Sequence, residues 1–281
     1  MNWFEALLLG ILQGLTEFLP ISSSGHLELG SYFLKTDNAD NLLFTIIVHF
    51  ATAISILYVF RNDIKKLIQS MLKFEKNSET IFISKILISA IPVGIVGIFF
   101  EEKVESLFNG DIILVGSMLL ITALLLTITY FQKNNSKNEI SYYDALIIGI
   151  AQAFAIIPGI SRSGATISTA LFLKINKKEA TRFSFLMVLI PIFGIAFLKI
   201  YKGAMNLQFV ETEIGIQPLI IGFISALFSG IIACKWMIKI VRESNLFYFA
   251  CYCIIIGLFS IISGCKDQND EKIFTIEPQY P

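Results

Sequence analysis

The sequence has few charged residues and lacks the short motifs that mark several large functional classes. Only 16% of its 281 residues are charged, 55% are hydrophobic and the mean hydropathy is +0.71, which is too apolar for a soluble fold with a charged surface. The formal net charge is zero, so no basic field indicates a nucleic-acid partner. No nucleotide-binding phosphate loop and no zinc-type cysteine spacing occurs in the sequence. These absences favour an integral membrane protein.

Six apolar stretches are long enough to cross a bilayer. A transmembrane helix needs about 20 mainly apolar residues. Stretches of roughly this length lie at 42–60, 81–100, 112–131, 183–200, 219–238 and 246–263. The sequence therefore predicts an all-α polytopic membrane protein with six transmembrane helices.

Two further apolar regions, 4–34 and 143–173, are interrupted in the middle. The interruptions read PISSSGH from Pro20 and PGISRSG from Pro158. Backbone groups without helical hydrogen bonds are tolerated at membrane depth only where protein or a water-filled cavity covers them. Both regions are therefore predicted to be re-entrant helical hairpins around a pocket.

Lysine and arginine are unevenly distributed among the connecting segments. Segments 61–80, 132–143, 174–182 and 235–243 carry 5, 2, 4 and 3 of these residues, whereas 1–41, 101–111, 199–217 and 264–281 carry 1, 1, 2 and 2. The positive-inside rule places the first set in the cytoplasm. Both termini are then outside, and the two hairpins enter the membrane from opposite sides.

The two interrupted regions also resemble each other. GILQGLTEFLPISSSG from Gly10 and GIAQAFAIIPGISRSG from Gly149 align without a gap and share glycine, glutamine and serine positions. We predict one membrane domain, 1–281, with a first repeat over 1–131 and a second over 143–263, each built from one hairpin and three spans. Inverted repeats bring their broken helices together near the middle of the membrane, so the pocket is expected there.

Glu17 and Arg162 lie in or beside the interruptions, with several serines and His26 close by in the sequence. An ionisable group inside a membrane is costly and is a functional candidate by default. The set fits phosphate chemistry, because a guanidinium binds phosphate oxygens in a bidentate way and helix N-termini favour anions. A serine can attack phosphorus if His26 or Glu17 accepts its proton while Arg162 or a divalent cation stabilises the charge.

Simpler interpretations of the same residues exist. Glycine and serine in membrane helices commonly serve close packing, and Gly25 and Gly164 are expected to serve backbone conformation. Glu17 and Arg162 could form a purely structural ion pair. His49, inside an apolar span, is expected to be a packing histidine.

The two motifs, QGLTEFLPISSSGH at 13–26 and AQAFAIIPGISRSGATI at 151–167, resemble the signatures of the undecaprenyl-diphosphate phosphatase family, the bacitracin-resistance phosphatases. The family's (E/Q)xxxE pattern falls on Gln13 and Glu17, its serine-rich turn ending in Gly-His falls on 22–26, and its PGxSRSG falls on 158–164. Length, hydropathy and the order of segments are similar throughout the chain.

This resemblance implies a bacterial plasma-membrane enzyme that hydrolyses undecaprenyl diphosphate to the monophosphate, recycling the lipid carrier of peptidoglycan synthesis. Bacitracin resistance follows from that activity in the family. The resemblance assigns catalytic roles to Glu17, Ser23, His26 and Arg162, and either Ser23 or His26 could be the nucleophile. The other motif residues are expected to bind substrate, and they are Gln13, Ser22, Ser24, Gly25, Ser161, Ser163 and Gly164.

The resemblance also implies a Mg²⁺ or Ca²⁺ ion, with Glu17 as its ligand, and a homodimer embedded among membrane lipids. Gln13 occupies the first place of the acidic motif, so one carboxylate is present instead of two. A lipid-carrier flippase or secondary transporter is the alternative function, because inverted repeats around a polar midplane site are also transporter architecture. Hydrolysis is favoured because nucleophile, base and phosphate-binding group lie within short motifs, whereas a transporter needs only binding groups.

Overall fold

The protein is all-helical in its computed structural model, which describes residues 1–36, 38–73, 77–132, 137–206, 214–243 and 246–275. No strand occurs within these ranges. Their helices are α1 (Trp3–Thr16), α2 (Ser23–Leu34), α3 (Asn38–Val59), α4 (Arg61–Leu72), α5 (Ser78–Phe99), α6 (Glu101–Glu105), α7 (Ile112–Tyr130), α8 (Tyr142–Phe154), α9 (Arg162–Phe172), α10 (Lys177–Met187), α11 (Leu189–Asn206), α12 (Ile216–Glu243) and α13 (Phe247–Thr275). The all-α prediction is confirmed.

Five helical segments are long and apolar enough to cross a membrane, and a bent helix pair makes a sixth if it counts as one span. The five are Ser78–Phe99, Ile112–Tyr130, Lys177–Leu198, Ile216–Val241 and Phe247–Lys266. The bent pair is Leu43–Val59 with Arg61–Leu72, and its bend is 81°. The six predicted stretches fall on these segments. The protein is thus a multi-pass helical membrane protein.

Two local details differ from the sequence prediction. The connecting segment 61–80 contains the helix α4, in which apolar residues recur at three- and four-residue spacing, so that Leu67 is buried while Lys65 and Lys66 are exposed. The span predicted from residue 183 begins at Lys177 and is broken at Val188. That break lies just before Pro191, which has no N–H to donate to the preceding helical turn.

The two interrupted apolar regions each form a pair of short helices. In the first, α1 ends at Thr16 and α2 begins at Ser23; in the second, α8 ends at Phe154 and α9 begins at Arg162. The second helix of each pair has a serine N-cap, as the side chain of Ser22 accepts from Gly25 N at 3.2 Å and that of Ser161 accepts from Gly164 N at 3.0 Å. Such caps satisfy amide groups that the helix start leaves without partners.

Small residues let the short helices pack tightly against long spans. α1 packs along α12, where a Cβ atom added to Gly10 would lie 2.0 Å from Ser225 Oγ, and α8 packs along α5, where one added to Gly149 would lie 2.3 Å from Ser89 O. Close backbone approach of this kind is how membrane helices gain van der Waals contact when lipid removes the hydrophobic driving force. The broken helices are therefore fixed against long ones on both sides of the molecule.

Candidate functional site

The breaks in the two helix pairs meet inside the protein. Ser163 Oγ donates to Leu19 O at 3.1 Å, and a Cβ atom added to Gly25 would lie 2.9 Å from Gly159 Cα. Thr122 of α7 braces the second break, because its hydroxyl donates to Gly159 O at 3.0 Å and accepts from Ser161 N at 2.9 Å. The prediction that the two motifs come together is confirmed.

Glu17 lies at the centre of this junction and is buried. It caps the C-terminus of α1, and its neighbour Phe18 is fully buried against Phe185 of α10, which fixes the end of the helix. Its Oε1 accepts a hydrogen bond from Nη2 of Arg162. Arg162 is the first residue of α9. Its Oε2 accepts from Ser23 Oγ at 2.5 Å. The carboxylate thus joins a hydroxyl at the start of one broken helix to a guanidinium at the start of the other.

Gln13 and Arg162 each keep one buried polar atom unused. Gln13 Nε2 donates to Glu17 Oε2 at 3.0 Å, which fixes the orientation of the amide because a carboxylate only accepts. Within the part of the chain that the structure describes, Gln13 Oε1 and Arg162 Nη1 have no hydrogen-bond partner. Buried polar atoms are nearly always satisfied in native proteins, so Gln13 Oε1 is an acceptor and Arg162 Nη1 a donor that a ligand can use.

His26 is buried one turn into α2, and both of its ring nitrogens are engaged. Nδ1 lies 2.7 Å from Ser22 O and Nε2 lies 2.8 Å from Tyr252 Oη. A carbonyl only accepts, so Nδ1 carries a proton. In the neutral imidazole, Nε2 then accepts from the tyrosine hydroxyl. Of the two proton acceptors that the sequence left open for Ser23, Glu17 is therefore the one that contacts its hydroxyl.

The turn that presents Ser23 is strained. We call residues Ser22–Ser24 the serine turn; Ser22 has φ +68°, a conformation that non-glycine residues adopt rarely and at a cost. The Ser22 and Ser24 hydroxyls lie 3.4 Å apart, and the corresponding Ser161 and Ser163 hydroxyls lie 3.3 Å apart. Both breaks therefore place paired hydroxyls beside a helix start.

The expectation for the two motif glycines needs correction. Gly25 and Gly164 lie in the first turns of α2 and α9 and, among the described glycines, positive φ occurs at Gly110 and Gly159 instead. Gly25 is required for space, since any side chain would meet the backbone of Gly159. A Cβ atom at Gly164 would lie 3.0 Å from Ser161 Cβ. Gly25 thus permits close approach of the two breaks, whereas Gly164 leaves room for the Ser161 cap of its own helix.

Two side chains of the site were missed by sequence reasoning. His49 Nε2 lies 3.6 Å from Glu17 Oε2, while its Nδ1 lies 2.8 Å from Thr45 O; sequence reasoning treated it as a packing histidine and did not place it beside Glu17. A lone imidazole inside an apolar span was the available signal. Tyr252 reaches His26 from α13, 226 residues away in the sequence, and no local pattern distinguishes it.

A metal site built from protein alone is not formed in the described ranges, where no group of three His, Cys, Asp or Glu side chains converges. The site nevertheless offers hard oxygen ligands, namely the Glu17 carboxylate and the unpartnered Gln13 Oε1. Mg²⁺ is commonly bound through one or two carboxylates together with substrate phosphates. The residues present fit a cation that phosphate oxygens help to hold.

The fold and the junction together define a multi-pass membrane protein with a carboxylate, a serine and an arginine buried between two broken helices. The profile described as "Bacitracin resistance protein BacA" matches residues 6–259, and the chain belongs to that family. It is 50% identical over 265 residues to a protein of Bacteroides fragilis, covering 93% of this chain and 98% of the relative. It is 42% identical to one from Halothermothrix orenii and 39% identical to one from Salinibacter ruber, covering 93% and 92% of this chain and 98% and 97% of those proteins. All three relatives are named undecaprenyl-diphosphatase.

Proposed function

We propose that this protein is an undecaprenyl-diphosphate phosphatase, which releases inorganic phosphate from the lipid diphosphate and returns the monophosphate carrier to peptidoglycan synthesis. One observation supports this best: Ser23 Oγ is hydrogen-bonded to the buried Glu17 carboxylate, and Arg162 reaches the same carboxylate while one of its nitrogens stays unpaired. Nucleophile, base and anion-binding group are thus in one place. The names of the relatives agree with that chemistry.

In the proposed reaction, Ser23 Oγ attacks the terminal phosphorus and its proton passes to Glu17 Oε2. The bond between that phosphorus and the bridging oxygen breaks, and undecaprenyl phosphate leaves with the bond's electron pair. A water molecule then attacks the phosphoserine and the bond between phosphorus and Ser23 Oγ breaks. Glu17 returns its proton to Ser23 Oγ, and inorganic phosphate leaves with both protons of the water. His26 is assigned the tasks of a positioning residue because both of its ring nitrogens are engaged elsewhere.

Charge stabilisation is assigned to Arg162 and to the starts of the two broken helices. Arg162 Nη2 stays on Glu17 while Nη1 is free to donate to a phosphoryl oxygen. The N-terminal amides of α2 and α9 lie at the same junction, and helix N-termini favour phosphate. The remaining substrate-binding residues, by this proposal, are Gln13, Ser22, Ser24, Gly25, Ser161, Ser163 and Gly164.

A Mg²⁺ or Ca²⁺ ion belongs to the proposal as well. Glu17 and Gln13 Oε1 would hold it together with diphosphate oxygens. When bound, such a cation neutralises charge on the phosphate oxygens.

The proposed architecture has six spans and two re-entrant hairpins in an inverted repeat, set in the bacterial plasma membrane with both termini outside. The matching serine caps support the repeat, as does the packing of α1 on α12 and of α8 on α5. A homodimer is part of the same proposal. The prenyl tail is assigned to apolar surface between helices. A cavity of about 520 Å³ is lined by residues of α5, α6 and α8 and by Ile157 of the second break.

The function is tested by measuring phosphate release from undecaprenyl diphosphate with purified protein in detergent. A parallel reaction contains a chelator. We expect equimolar inorganic phosphate and undecaprenyl phosphate, and loss of activity with chelator that added Mg²⁺ or Ca²⁺ restores. Movement of the lipid across reconstituted vesicles without phosphate release would support the transporter alternative and overturn the proposal.

A further inference from the structure

We propose that Tyr252 of α13 is a positioning residue that acts on the serine turn through His26. The inference rests on the proposed phosphatase function and names a residue outside both motifs. Tyr252 touches neither Ser23 nor Glu17 among the contacts of the described residues. Its effect on the reaction is therefore indirect.

Tyr252 restrains the His26 ring in two ways, by stacking on it and by a hydrogen bond to its Nε2 atom. The hydroxyl donates to Nε2 at 2.8 Å, and the two rings are stacked with centroids 5.6 Å apart and planes 11° apart. His26 is buried, whereas Tyr252 is 38% exposed. Rotation of the imidazole would break the hydrogen bond and the stacking at once.

His26 in turn supports the strained backbone of the serine turn. The Ser22 carbonyl accepts from His26 N at 3.1 Å and from His26 Nδ1 at 2.7 Å. A residue with positive φ keeps that conformation only when its surroundings over-determine it, and the imidazole supplies one of these restraints. Ser23 follows directly, and its hydroxyl must lie in line with phosphorus and within reach of Glu17.

The neighbour of Tyr252 contacts the other side of the same turn. Cys253 Sγ lies 3.9 Å from Pro20 O, a distance suited to a weak thiol donor. Two consecutive residues of α13 therefore hold the chain before and after the serine turn. The last long helix sets the position of the nucleophile.

Tyr252→Phe is the decisive variant, because it keeps the stacked ring and removes only the hydroxyl. We expect kcat to fall about 10-fold with KM within about twofold, since small misplacement of a reacting group slows chemistry while the phosphate contacts of Arg162 remain. Tyr248→Phe, one turn earlier and 74% exposed, is the matched control and should leave both constants unchanged. An unchanged kcat in Tyr252→Phe would overturn the inference, and so would a rise in KM alone.

A double variant separates this role from general packing. If Tyr252 acts through His26, adding Tyr252→Phe to His26→Ala causes no further loss of kcat, whereas additive losses contradict it. If His26→Ala is inactive, the inference is tested by the kcat and KM values of the Tyr252→Phe variant alone. Wild-type protein is assayed first: no phosphate release from it defeats the proposed function itself, whereas wild-type turnover with a normal Tyr252→Phe defeats only this inference.

Discussion

At the scale of single residues, Glu17 connects everything else in the site. One buried carboxylate accepts from Arg162, Ser23 and Gln13, and His49 lies close to the same oxygen as Ser23. Charge-assisted hydrogen bonds of this kind are stronger than neutral ones. Removing one partner leaves the others buried without compensation, which makes the site sensitive to conservative substitutions.

Arg162→Lys should reduce kcat by at least about 100-fold, the scale of losing one preorganised charge-stabilising donor. An ammonium keeps the charge but cannot hold Glu17 and a phosphoryl oxygen with two fixed nitrogens. Arg182→Lys is the matched control, because Arg182 pairs with Asp63 at 2.9 Å outside the junction. Phosphate release by both purified variants checks this, and near-wild-type turnover of Arg162→Lys would exclude a phosphate-binding role.

Glu17→Gln should abolish turnover and also destabilise the protein by about 3 kcal/mol, because it leaves the buried Arg162 guanidinium without its counter-charge. Thermal unfolding in detergent measures the stability, and phosphate release measures the activity. Retained turnover in a destabilised protein would move Glu17 to a purely structural role. A normal unfolding midpoint would show that the ion pair contributes little.

The motif residues could be predicted from sequence, since a Gly/Ser-rich break in an apolar region with Glu17 or Arg162 beside it has few physical explanations. The roles of the individual residues could not be predicted in this way. His26 engages Tyr252, a contact that depends on the position of α13 beside α2 and is absent from any local pattern. The approach of His49 to Glu17 could not be predicted for the same reason, because helix packing brings α3 to Glu17.

At the scale of elements, contacts with α7 hold the second break in place. Thr122 bonds to Gly159 O and to Ser161 N, both within the second break, and Gly159 has φ +95°. A Cβ atom at Gly159 would lie 2.4 Å from Val115 O. The backbone there has no room to adjust.

Gly159→Ala should therefore cost about 1–3 kcal/mol of stability, the usual range for a forced backbone conformation, and should lower activity by separating the breaks. Gly94→Ala in α5 is the control, because no atom lies within 4 Å of its added Cβ and alanine favours helix over glycine. Thermal unfolding of the two variants compares them. Equal midpoints would show that the second break tolerates a side chain.

Thr122→Val should cost about 1–3 kcal/mol, because the isosteric change leaves Ser161 N and Gly159 O without their buried partner. Thr127→Val is the matched control on α7, because the Thr127 hydroxyl bonds to Ala123 O within its own helix. Unfolding midpoints and phosphate release are measured for both variants. A Thr122→Val protein as stable and active as the control would show that α7 does not brace the break.

Element boundaries were predicted well where composition changes sharply and poorly where it does not. The breaks near Pro20 and Pro158 lie between the helices found, because proline and clustered serine interrupt an apolar run. The helix α4 and its 81° bend were missed, since an amphipathic segment rich in lysine has the composition of a connecting loop. Its position depends on Asp63 pairing with Arg182 of α10, a tertiary contact.

At the scale of the whole molecule, the proposed inverted repeat predicts which side of the membrane each connecting segment faces. In an active cysteine-free background, a cysteine at Glu102 should react with an impermeant thiol reagent added to intact cells, and cysteines at Lys73 and Glu139 should not. All three positions are exposed, so accessibility depends on the side of the membrane. Labelling at Lys73 or Glu139 from outside would overturn the proposed orientation.

The central claim is that a serine held by Glu17 inside the membrane hydrolyses the lipid diphosphate. The most direct test compares inorganic phosphate released from undecaprenyl diphosphate by the purified wild-type protein and by Ser23→Ala, with unfolding midpoints confirming that both are folded. We predict turnover by the wild type and a loss of about 1,000-fold or more in the variant, because removal of a nucleophile disables the catalytic unit. A folded Ser23→Ala protein that releases phosphate at the wild-type rate would contradict the account.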